Sequence, residues 1–138
     1  MSESSLRTAG IILIVFPTVV YGGVSILALW ITRRAPYLRD HPLRQRLWAA
    51  GHAHAAVLLV LSLVVLLLVD GADLPSAWKD VVRWAFPAAA ILMPIAFFLS
   101  IVKPDDQEPN ALINLTYVSA VVLTIGMLTL GIGLLRAT

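Results

Sequence analysis

The sequence contains no cysteine, which excludes disulfides, thiolate nucleophiles, iron–sulfur clusters and cysteine zinc sites. Charge is scarce as well. Only 13% of the 138 residues are Asp, Glu, Lys or Arg, against about a quarter in an ordinary soluble domain. There are three histidines, and no Gly-rich phosphate loop, Ser-His-Asp arrangement or HExxH motif occurs. No stretch outside the apolar runs is long enough for an extramembrane domain. Together with a hydrophobic content of 59%, these absences exclude a disordered chain, a nucleic-acid module and a typical cytosolic enzyme.

What the sequence does contain is four apolar runs, at about residues 9–32, 47–69, 82–102 and 112–135. Each has the roughly twenty residues that a helix needs to cross a bilayer. They are continuously apolar, without the period-two alternation of barrel strands, so they read as helices. The expected fold is all-α and integral to the membrane: residues 1–138 as one four-transmembrane-helix bundle. Asp40 followed by Pro42 predicts an N-cap and an early helical proline for the second helix. Pro109-Asn110 predicts a similar start for the fourth, and Gly71 suits the end of the second. The first run is too long for a signal-peptide core and lacks a small-x-small cleavage site, so it reads as a retained helix.

Orientation follows from lysine and arginine. One side holds Arg33, Arg34, Arg39, Arg44, Arg46 and Lys103; the other holds Arg7, Lys79, Arg83 and Arg136. The bias predicts a cytoplasmic arginine loop and both termini outside, in a bacterial inner membrane. These charges read as topology signals, and nucleic acid is not an expected partner.

Polar groups within spans are costly and mark function by default. The informative segment is Ala49-Ala50-Gly51-His52-Ala53-His54-Ala55-Ala56. Of the seven other residues from Ala49 to Val57, six are alanine or glycine, which predicts open space around both imidazoles. Positions i and i+2 on a helix lie about 200° apart, so the two rings point in nearly opposite directions. That is poor geometry for chelating one ion and good geometry for serving two centres on opposite sides. Small neighbours admit a flat macrocycle, and neutral imidazole is a common axial ligand of haem iron. Arg44 and Arg46 lie toward the water, where haem propionates would want cations. His52 and His54 are therefore the expected ligands of haem b, with copper or zinc as the alternative occupant, and Arg44 and Arg46 the expected cations. A proton relay, or simple interhelical hydrogen bonding, would use the same histidines.

Gly51-His52-Ala53-His54 and the aliphatic run after it resemble the His-x-His helix of haem–copper oxidase catalytic subunits. In that family the two histidines ligate different haems, and twelve helices form three four-helix arcs. The resemblance implies one such arc, hence a homo-oligomer, pictured as a homotrimer, with sites at subunit boundaries and a role in electron transport or small-gas chemistry. The family's copper-binding histidines and its histidine–tyrosine pair have no counterpart here. What carries over is haem ligation, without dioxygen reduction. In size, and in a histidine early in the second span, the chain is also similar to the small four-span proteins that include hydroxylaminobenzene mutases. That similarity implies a metal-free enzyme acting on a small apolar substrate through a histidine. An accessory subunit of a larger membrane complex is a further alternative.

Other positions read as packing. Thr18, Tyr21 and Ser25 form a polar stripe near Gly22-Gly23, and Asn114 and Tyr117 share a face of the fourth span. Pro87 and Pro94, seven apart, lie on one face of the third span and are expected to kink it. Met93 is expected in the core. Asp70, Asp73, Asp80, Asp105, Asp106 and Glu108 all fall at the rims, against a carboxylate-based transporter.

Overall fold

The structure, a computed structural model, describes residues 1–32 and 36–138, apart from the side chains of Tyr37 and Arg39. The topology residues Arg33 and Arg34, and the side chain of Arg39, lie outside the described residues. Helix α1 spans Glu3–Thr32, α2 is a short helix at Pro36–Arg39, α3 spans Pro42–Leu68, α4 spans Ser76–Leu99 and α5 spans Leu115–Arg136. Single 3-10 turns at Val69–Gly71 and Ala111–Asn114 follow α3 and precede α5. Four of these helical segments are long and apolar enough to cross a membrane, and no strand occurs among the described residues. The chain is an all-helical, four-span integral membrane protein.

The helices pack in a row. α3 and α4 form the centre, α1 lies against α3, and α5 lies against α4. Burial follows from that order: half of α4's apolar window is buried within the protein, against 6% of α1's. One core gathers Ile12 of α1, Leu58, Leu59 and Leu66 of α3, and Ala89, Ala90 and Met93 of α4. A second joins Val65, Val82, Ala85 and Phe86 to Leu130 of α5. Apolar side chains gain little from leaving lipid for protein, so these contacts depend on close van der Waals fit and on polar links. One such link is the bond from Ser119 Oγ to the Ala89 carbonyl, 3.2 Å, tying α5 to α4. Both α4 prolines are buried, and α4 runs as one helix through them.

Each rim is closed by a buried arginine. Arg44, only 1% exposed, sends Nε to the Ile101 carbonyl at 3.0 Å and Nη2 to the Lys103 carbonyl at 2.6 Å. These are carbonyls of the α4–α5 loop, which a helix end leaves without intrahelical partners. The cap of α3 differs from expectation. His41, rather than Asp40, is the N-cap: its Nδ1 accepts the Arg44 N–H at 3.2 Å, and Pro42 occupies the first turn. The other ring nitrogen of His41, Nε2, donates to the Asp106 carbonyl at 2.6 Å, joining the same loop to α3. Asn110 caps the 3-10 turn that leads into α5 by accepting the Leu112 N–H at 2.9 Å.

Candidate functional site

The His-x-His segment lies in the third and fourth turns of α3, and the two rings leave the helix on different sides. His54 turns toward Phe97 of α4, with ring centroids 5.4 Å apart. Its Nδ1 lies 2.7 Å from the Ala50 carbonyl, one turn back on the same helix. A carbonyl oxygen only accepts, so Nδ1 carries the hydrogen, and in the neutral ring the lone pair is on Nε2. His54 is exposed at the protein surface, as is Ala53 beside it. A backbone acceptor on the far nitrogen is also the arrangement that fixes the tautomer of metal-ligating histidines.

His52 turns to the other side, toward α1. A Cβ placed on Gly23 would overlap His52 Nε2 and stand 2.7 Å from Cε1, so the tip of this ring rests directly on the α1 backbone. Only glycine permits that approach. A metal bonded to His52 Nε2 would have to occupy the space of the Gly23 segment. The divergence of the two rings agrees with their i, i+2 spacing, but in this arrangement only His54 presents Nε2 outward.

The collar of small residues is used differently from the expectation of open space. Gly51 and Ala55 are buried, and a Cβ on Gly51 would come within 3.1 Å of Phe97 Cβ and 3.2 Å of Phe98 Cζ. These small residues admit the aromatic pair of α4. Ala49 and Ala53 alone of the collar's alanines are exposed.

The two flanking arginines separate as well. Arg44 is not available to propionates, because its guanidinium is buried among loop carbonyls. Those loop oxygens are what holds it, since a guanidinium buried without them would not be stable there. Arg46 is exposed and lies eight residues, about 12 Å of helix, before His54. Of the other polar positions in the spans, Tyr21 and Tyr117 are each 72% exposed.

Among the described residues, no group of three or more His, Asp or Glu side chains could hold a metal ion. A bare copper or zinc ion thus finds no closed ligand set within one chain. A metal already held in a macrocycle makes a smaller demand, because it needs only an axial imidazole from the protein.

At the opposite rim lies a cluster that joins Arg83, one of the topology signals, to Asp70 and Asp80, two of the rim carboxylates. Arg83 of α4 is 8% exposed. Its Nη2 meets Asp70 Oδ1 at 2.7 Å, its Nη1 meets Asp80 Oδ1 at 2.6 Å, and its Nε donates to Ser5 Oγ at 3.0 Å. Asp70 also accepts the Ser2 N–H at 2.5 Å. The i, i+3 spacing of Asp80 and Arg83 was a visible signal for one of these pairs. Nothing local announced the other.

Between α1, α3 and α4 lies a cleft of about 340 Å³, bordered by His52 and by apolar side chains. No protein-family model matches the chain, and no curated protein or solved structure matches it either.

Proposed function

We propose that this four-span protein binds haem at the membrane-embedded surface of α3, with His54 supplying an axial imidazole. The observation that carries the reading is the 2.7 Å bond from His54 Nδ1 to the Ala50 carbonyl, which leaves Nε2 as a fixed, outward-facing lone pair. Haem is preferred to a bare copper or zinc ion because the described residues offer no multidentate set. Arg46 is the cation on the same helix that remains for a propionate. His52 would become a second ligating ring only if α1 withdrew from it.

One exposed imidazole cannot fill both axial positions of a six-coordinate haem, so the opposite ligand would come from another subunit. The reading therefore includes a homo-oligomer, with a trimer as the arrangement that imitates three arcs. Its setting is a bacterial inner membrane, with the arginine loop cytoplasmic and both termini outside. The role would be electron transport or the handling of a small gas.

The test is the absorption spectrum of detergent-purified protein from haem-replete cells, oxidised and dithionite-reduced. A Soret band that shifts on reduction, is lost in His54→Ala and persists in His52→Ala is the expected result. A flat spectrum, or a band indifferent to His54→Ala, refutes the assignment.

A further inference from the structure

Arg7 is the last charged residue before the first span, and Arg83 the last before the third; the next charges along the chain are Arg33 and Lys103. Both arginines therefore stand where polar sequence gives way to apolar. The structure brings them to one place. A recess of about 380 Å³ between α1 and α4 is bordered by Ser4, Arg7, Thr8 and Ile11 of α1 and by Arg83 and Trp84 of α4.

The two arginines differ in what they present to it. Arg83 is balanced by two carboxylates, and its three guanidinium nitrogens already donate to Asp70, Asp80, Ser5 and Ser2. Arg7 is exposed, and among the described residues no hydrogen bond or ion pair engages its side chain, Glu3 one turn earlier included. The Ser4 hydroxyl and the Trp84 indole N–H are likewise unpartnered among the described residues. Thr8 is occupied, its Oγ1 donating to the Ser4 carbonyl at 3.0 Å. The polar side of the recess thus holds a free guanidinium and two further donors, and no carboxylate lines it. Such a set is complementary to an anion that only accepts, and a guanidinium meets phosphate through two parallel N–H···O bonds.

The other side of the recess is apolar. Ile11 lies one turn beyond Arg7 toward the membrane centre, and both Ile11 and Trp84 are exposed. A free phosphate would leave these two side chains uncovered, whereas a lipid carries acyl chains directly below its phosphate. An indole at the boundary is suited to the headgroup level. Size agrees: a cavity of about 150 Å³ takes up benzene, and the recess has more than twice that volume.

We infer that this recess binds a glycerophospholipid through its phosphate, held by Arg7, Ser4 and the Trp84 indole N–H, with an acyl chain against Ile11 and Trp84. The site lies at the rim opposite Arg44 and uses no residue of α3. It therefore stands or falls independently of haem binding at His54.

The experiment titrates the detergent-purified protein with dioctanoylphosphatidylglycerol and follows thermal stabilisation against concentration. Dioctanoylglycerol carries the same chains without the phosphate, and glycerol 3-phosphate carries the phosphate without the chains. The phospholipid should stabilise the wild type saturably, with each partial probe at least tenfold weaker. Arg7→Gln should weaken the phospholipid about tenfold or more, the worth of hydrogen bonds to a charged group. Arg7 has no partner in the protein, so this variant removes no contact of the fold. Ser4→Phe, which fills the recess with Arg7 in place, should weaken binding to a similar degree. Arg136→Gln removes an exposed arginine of the same rim that does not line the recess, and should leave binding unchanged. Glycerol 3-phosphate as strong as the phospholipid would identify a free-phosphate site, and dioctanoylglycerol as strong would identify a groove for chains alone. Equal weakening by Arg7→Gln and Arg136→Gln would reduce the effect to diffuse charge. Any of these results, or a lack of saturation, overturns the inference.

Discussion

Arg83 holds two carboxylates at nearly equal distance in very different surroundings, which allows the value of burial to be measured on one guanidinium. The contacts are 2.7 Å to Asp70 and 2.6 Å to Asp80. Side-chain exposure is 21% for Asp70 and 62% for Asp80, while Arg83 itself is at 9%. Solvent should reduce the Asp80 pair to about 0.2–1 kcal/mol. The Asp70 pair is largely withdrawn from solvent, and removing Arg83 leaves that carboxylate without its cation, a loss of about 3–5 kcal/mol when a buried pair is broken on one side. Double-mutant cycles separate these values. We expect Arg83→Met with Asp70→Asn to show a coupling of about 2 kcal/mol or more, and Arg83→Met with Asp80→Asn to stay below about 1 kcal/mol. Reversible unfolding in mixed micelles, titrated with SDS, supplies the four free energies of each cycle. Equal couplings would mean that distance, and not burial, sets the strength of this cluster. A purely additive Asp70 cycle would refute the reasoning outright.

Two further predictions follow from the packing. Gly126→Ala places a Cβ 2.8 Å from Ala85 Cβ and 3.1 Å from Phe86 Cε2. It should therefore force α4 and α5 apart and cost about 1–3 kcal/mol, whereas Gly131→Ala, with nothing within 4 Å, should be neutral or stabilising by up to about 1 kcal/mol; thermal denaturation of the two variants would overturn the packing argument if their order were reversed. Arg44→Gln should destabilise the protein by about 2–4 kcal/mol, through loop carbonyls left without their donor, while Arg46→Gln should change stability by less than about 0.5 kcal/mol as an exposed substitution. Equal melting temperatures for these two variants would contradict the burial of Arg44.

The spans were legible because crossing a bilayer imposes a length and composition that no neighbouring helix needs to confirm. The ends were less so. His41 takes the cap that Asp40 was expected to provide, because the choice also depends on Asp106, sixty-five residues away, which receives the other ring nitrogen. The opposed directions of His52 and His54 followed from helical geometry alone. Which ring would be open did not, since Gly23 of α1 covers one and the Ala50 carbonyl fixes the other. The alanines and glycine around them specified small volume without specifying its occupant, and Phe97 and Phe98 of α4 proved to fill part of it. The buried states of Arg44 and Arg83 were hidden for a similar reason. A rim arginine and a topology arginine are the same letter until the loop or carboxylate that holds it is known.

The two arginine clusters also set a thickness. Arg44 and Asp70 stand near opposite ends of the segment formed by α3 and its closing turn, twenty-six residues apart in the sequence, or about 39 Å at the rise of an α-helix. A bilayer with its headgroup layers measures about 40–45 Å. Each cluster can thus rest among headgroups on its own side of a hydrocarbon core about 30 Å thick, and a separation of about 39 Å keeps both there at the ordinary helix tilt of about 20°. The bundle behaves as a gauge with two charged stops, matched to a membrane of ordinary width and opposed to one whose hydrocarbon core is thicker than the distance between them.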